Sequence, residues 1–130
     1  MRTAVVIRIS IGELVDRLTI LSLKVLRLEN GIVRDRLIRE AEELEGMYDE
    51  FRERDPEITL LRSKLLKVNT RLWHLEDKVR LLERSKKFDS GFITSSRKIY
   101  RYNEIRAALK LKINKVLNDT MEEVKIYTRD

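Results

Sequence analysis

Helix-spaced carboxylates are the first residues in this chain whose types and spacing could do chemistry. Glu13 and Asp16 stand three apart, as do Glu40 and Glu43, Glu42 and Glu45, and Glu50 and Glu53. That spacing puts both members on one helix face. Two such pairs on neighbouring helices could hold Mg²⁺. Here three of the pairs fall between Glu40 and Glu53, among charges typical of a solvated face. Ser95 and Ser96 have no base near them in sequence, so a hydrolase triad has no support. His74 is the only histidine, which argues against a di-iron bundle and against a His-rich zinc site. There is no Cys, so thiolate catalysis and disulfides are excluded. No glycine-rich phosphate loop is present. No catalytic residue, metal or cofactor is implied.

A polar interruption in an apolar stripe is more informative. From Phe92, one helical face runs through Ser96, Ile99, Asn103, Arg106, Lys110, Ile113 and Leu117. Three consecutive polar members sit between apolar ends. Buried Arg or Asn costs several kcal/mol unless partnered. Candidate partners stand on two other predicted helices: Glu13 and Asp16 on one, and Asn69, Trp73, Glu76 and Asp77 on another. Two arrangements are open. One is a closed salt-bridge network among Arg106, Glu76, Asp77, Glu13 and Asp16. The other is a cleft lined by the same groups, in which Arg97, Arg106 and Lys110 supply cations, Tyr100 and Asn103 orient a ligand, and Trp73 stacks.

The elements that position these residues are long helices. Thr3–Ile9 reads as an extended lead-in or a short strand. Ser10-Ile11-Gly12-Glu13 has capping-box spacing. Ile11, Leu14, Leu18, Leu21, Val25 and Leu28 then make the stripe of a first helix, stopped by Asn30-Gly31. A second helix is expected from about Val33 to Arg54. Asp55-Pro56 would cap and open a third, reaching about Lys86, and the tight junction predicts an antiparallel hairpin of the second and third helices. Leu61, Leu65, Val68, Leu72, Leu75, Val79 and Leu82 form an unbroken heptad seam on the third. A turn at Phe88–Gly91 leads to a fourth helix, from about Ser90 to Leu117, and a short tail. The expected fold is all-α: one domain, residues 1–130, as an antiparallel bundle of three to four long helices.

Composition agrees. Hydrophobic residues make up 42% and charged residues 38%, which excludes disorder and an all-β class. No apolar run approaches the length of a membrane span, and the start lacks signal-peptide features. A cytoplasmic chain is expected. Absence of Gln, with plentiful Arg, Lys and Glu, is a thermophile-like bias. The net charge of +6 is unevenly spread. Nine acids stand against two bases from Glu40 to Glu57, and ten bases against two acids from Arg84 to Lys115. The simplest expectation is that the acidic helix lies beside the basic one. Alternatively, the asymmetry serves an anionic partner.

Several strings together resemble a functionally uncharacterised family of small helical proteins. They are Ile9-Ser10-Ile11-Gly12-Glu13 through Asp16, Asn69 with Leu72-Trp73 and Glu76-Asp77, Phe88-Asp89 with Phe92-Ile93, and Arg97, Tyr100, Asn103, Arg106, Lys110 and Asn114. The resemblance covers nearly the whole chain. It implies that these polar residues recur as a set. It also suggests a setting in surface-glycan biosynthesis, beside glycosyltransferase-like chains, and implies no activity. Asn103-Glu104 and Glu122-Glu123-Val124-Lys125 depart from the family pattern.

Four functional expectations follow. The first is an accessory module holding an anionic small molecule of phosphosugar or nucleotide-sugar type, or a protein partner, in the interhelical cleft. The second is a nucleic-acid binder using Arg97, Lys98, Arg101, Lys112 and Lys115. The third is a small enzyme using the same cations, with Glu76 or Asp77 as acid or base. The fourth is a homodimer formed through the helix seams.

Overall fold

The computed structural model describes residues 3–118. Four helices account for most of them: α1 (Ile11–Arg27), α2 (Ile32–Tyr48), α3 (Pro56–Arg84) and α4 (Ser90–Val116). The all-α reading therefore stands. Residues 3–9 form no regular element. The expected tail beyond Asn118 lies outside the described residues.

Caps explain where the helices start. Ser10 Oγ accepts from the Glu13 N–H at 3.1 Å. Glu13 does not complete the predicted capping box; its carboxylate pairs with Lys110 and Arg17 instead. Asp55 accepts from the Glu57 N–H with Pro56 following, and Asp89 accepts from Gly91 and Phe92. Each cap satisfies a donor that the helix itself cannot.

Helix α1 is the centre of the fold. It packs on all three others, and α3 and α4 pack on each other. Leu14, Val15 and Leu18 of α1, Ile58, Leu61 and Leu65 of α3, and Ile113 of α4 make one core, joined by Tyr48 from the end of α2. That central position explains why α1 buries more than its predicted stripe. Val15, Asp16 and Thr19 are buried as well as Leu14 and Leu18.

Two expectations about α2 are corrected. It ends at Tyr48, and residues 49–54 are turns stitched by bonds from Phe51 and Arg52 N–H to the Tyr48 carbonyl, at 2.8 and 3.2 Å. Burial of the Tyr48 ring anchors the chain there, and the turns redirect it to Pro56. The α2–α3 hairpin does not form either. No Cα of α2 comes within 8 Å of one in α3 or α4. Helix α2 runs antiparallel along α1 alone, so the acidic helix does not lie beside the basic one. Its tie to α3 is Arg62, which binds the Glu45 carboxylate through both terminal nitrogens and lies 4.7 Å over the Tyr48 ring. We refer to α1 with α2 as the arm.

Candidate functional site

The polar line of α4 turns inward against α1 at Arg106, Lys110 and Asn114, and each of these meets a partner. Gly12 faces Asn114, Glu13 faces Lys110, and Asp16 faces Arg106, so α1 and α4 are antiparallel. The approach at the first pair is very close. A Cβ at Gly12 would collide with the backbone carbonyl of Lys110 and stand 2.9 Å from Asn114 Oδ1. Without a side chain there, Asn114 reaches in and accepts from the Gly12 N–H at 2.7 Å. That donor belongs to the first turn of α1, where no intrahelical acceptor exists. One helix thus caps another.

Asp16 is the hub. Its side chain is 2% exposed. Arg106 grips it bidentately, Nε to Oδ1 at 2.9 Å and Nη2 to Oδ2 at 2.6 Å. Asn69 from α3 donates to the same Oδ1 at 2.9 Å and to Thr19 Oγ1 at 2.8 Å. The Thr19 hydroxyl donates to the Asp16 carbonyl at 2.7 Å. Three helices therefore meet on one carboxylate. Asp16 raises the pKa of the Arg106 guanidinium above its ordinary value through these bonds; burial opposes this, and Asp16, Glu13 and Glu76 add to it by charge. One turn away, Lys110 is buried with its Nζ 2.6 Å from Glu13 Oε2, and Arg17 approaches Glu13 at 3.5 Å.

Beside this junction lies a small pocket of about 150 Å³, lined by Ile20 and Leu23 of α1, Asn69, Leu72, Trp73 and Glu76 of α3, and Arg106. Arg27 stacks on the Trp73 ring at 4.4 Å, so one face of the indole is covered. Glu76 sits on the rim within 3.7 Å of Arg80.

The structure thus brings Glu13, Asp16, Asn69, Arg106 and Lys110 into one bonded junction, with Trp73 and Glu76 at its edge. It leaves the other candidates outside. Asp77 is exposed and pairs with Arg80 at 3.3 Å. Arg97 and Tyr100 are exposed on the outer face of α4. Asn103 is half-buried, and its side chain makes no hydrogen bond among the described residues. Gly12 and Thr19 are members that periodicity did not supply. Thr19 lies one turn from Asp16 and would be found only by asking what else could bond a buried acid.

Chemically, the junction is saturated. Asp16 Oδ1 accepts from Arg106 and Asn69, and Oδ2 accepts from Arg106, so the carboxylate is held as the charged centre of the cluster. No buried side-chain nitrogen or oxygen among the described residues lacks a partner. No group of His, Cys, Asp and Glu there could hold a metal ion. No described helix is long and apolar enough to cross a membrane. Of the possible nucleic-acid footprint, Arg97, Lys98, Arg101 and Lys115 are exposed, while Lys112 lies 3.5 Å from Glu57.

A second feature appears where α1 stops. Arg27, its last residue, lies over Trp73, but α3 runs on for eleven more residues to Arg84, about 16 Å further at 1.5 Å per residue. Along residues 77–97 of the α3–α4 hairpin, only Ser95 is buried. The seam residues Val79, Leu82 and Phe92 are half-buried. Leu81, Phe88 and Ile93 are 60%, 56% and 55% exposed. Phe88 and Phe92 stack edge to face at 5.3 Å. We call this part the hairpin tip.

The chain matches, over residues 5–129, a family described as of unknown function, DUF6165, and belongs to it. No curated protein and no solved structure matches it.

Proposed function

We propose that this member of the DUF6165 family is a binding module that works by contact with a protein partner, taken on the uncovered hairpin tip. One observation carries the reading. The same heptad seam is buried from Leu61 to Leu72 and only half-buried from Leu75 to Leu82. Two helices alone cannot close a core, so the tip is an unfinished one. Apolar side chains clustered at such a position mark a contact surface.

The small-ligand reading has less support. Arg106 and Lys110 are already engaged by acids, and Glu76 opposes an anion at the pocket mouth. Ligand sites for molecules of nucleotide-sugar size occupy about 300 Å³ or more, twice this pocket. Glycosyltransferase-like chains, the setting suggested by the resemblance, are one class of protein that a helical accessory module could serve by contact.

The test uses Leu81→Ser/Ile93→Ser in the full chain, at a dilution where it is monomeric. Denaturant stability should stay within about 0.5 kcal/mol of wild type, as for surface positions. A loss above about 2 kcal/mol would place these residues in the monomer's core and overturn the reading. So would a saturable rise in Tm with inorganic phosphate or a nucleoside diphosphate that Arg106→Lys abolishes.

A further inference from the structure

Two charged surfaces of this molecule are left without partners, and they have opposite signs. On α2, Glu40, Glu42 and Glu43 are exposed, with no ion-pair partner among the described residues. Of these, Glu42 borders a groove between α1 and α2 whose floor is apolar, Val25, Leu26, Ile38 and Ala41, and whose edge also carries the acids Glu45 and Asp49. Leu26 is 79% exposed. On the hairpin tip, Arg84, Lys86, Lys87 and Lys98 are exposed and equally unpaired, around Leu81, Phe88 and Ile93. The tip has an apolar centre and a basic rim; the groove has an apolar floor and an acidic rim. Within one chain they cannot meet, because α2 approaches neither α3 nor α4.

We infer that the occupant of each surface is a second copy of this chain: the tip of one copy lies on the α1–α2 groove of the other, and the reverse. This deepens the contact-module reading and rests on it. The geometry suits a twofold axis perpendicular to the helices. The tip rises beyond the level where α1 ends, and the groove lies below that level along α1. Two copies placed antiparallel and side by side set each tip against the other's groove. Both contacts form at once, which closes the assembly as an isologous dimer. Apolar area supplies the affinity; the opposed rims fix the register and disfavour a tip-on-tip pairing, which would bring two basic surfaces together. An anionic lipid surface would also suit the basic, apolar tip, but would leave the acidic groove unexplained.

The experiment is sedimentation equilibrium on the full chain, up to about 100 μM, a range that captures weak homodimers. The wild type should approach twice the 15.5 kDa chain mass. Glu42→Lys/Asp49→Lys on the groove, and Arg84→Glu/Lys87→Glu on the tip, should each raise the dimer Kd by about tenfold or more. The four substitutions in one chain should restore it to within about threefold of wild type. Three results would overturn the inference: a wild type monomeric throughout, a dimer indifferent to both reversals, or no recovery in the fourfold variant. A monomer whose Leu81→Ser/Ile93→Ser form keeps full stability leaves the contact reading in place with another partner. If that monomer pellets with phosphatidylserine vesicles through Leu81 and Ile93, the tip serves a membrane surface.

Discussion

Helices α3 and α4 run the length of the molecule, yet their two halves are built to different standards. In the half beside α1, Leu61, Leu65 and Leu72 are buried, and Asp16, Asn69, Arg106, Lys110 and Asn114 are bonded across helices. In the tip, the same heptad continues, but Val79 and Leu82 are half-wet, and the basic side chains Arg84, Lys86, Lys87 and Lys98 are unpaired among the described residues. The sequence pattern does not change between the halves; the supply of a third helix does. Heptad continuity specifies that a face wants covering, and says nothing of whether the cover is in the same chain. The well-covered half is where stability resides. The other half is free to associate, as regions of low local stability commonly are.

The comparison breaks most visibly at Asp16. Arg106→Leu leaves a carboxylate that is almost wholly buried with only amide partners. Loss of one member of such a pair costs about 3–5 kcal/mol. Denaturant unfolding of Arg106→Leu should show a loss of that size. A stability equal to or above wild type would mean that the junction is held against packing, as at a ligand site.

A matched pair of truncations measures the difference between the halves directly. Leu65 is fully buried and Leu82 half-buried on the same helix face. Leu65→Ala should cost about 2–5 kcal/mol. Leu82→Ala, at a dilution where the chain is monomeric, should cost about 1 kcal/mol or less. Equal costs would show the tip to be as well packed as the base.

Much of this was legible in the residues. Periodicity located the four helices, and the caps at Ser10 and Asp55 set the starts of α1 and α3, because both signals are local. The polar break points inward at Arg106 and Lys110 as its spacing implies, with Asp16 and Glu13 as the partners, while Asn103 stays outside the junction. Three things were not legible. Gly12 marks the closest helix approach, but a single glycine in a first turn carries no sign of what crosses it. Asn114 caps a helix about a hundred residues away in sequence, a relation that only the fold creates. The place of α2 was misjudged because Asp55-Pro56 fixes where a helix begins, not the angle at which the chain arrives. Tyr48 and Arg62 decide that angle through side chains on different helices.

That last link yields the smallest effect and isolates the arm from the junction. Arg62 holds the Glu45 carboxyl below its ordinary range, chiefly by hydrogen bonding; burial opposes this, and the charges of Arg62 and Arg52 assist. A carboxyl depressed in the folded state stabilises above its unfolded pKa, and the contribution disappears as pH falls through the folded value. The pair is partly solvated, so it is worth about 1 kcal/mol or less. Glu45→Gln should therefore be slightly less stable than wild type at pH 7. The difference should shrink as pH falls below about 4.5, the unfolded value, and be lost once pH has fallen through the depressed folded value. Paired denaturation curves across that range provide the measurement. A difference that persists unchanged below the folded value would mean that α2 is held to α3 by the packing of Arg62 on Tyr48, with the charge pair incidental.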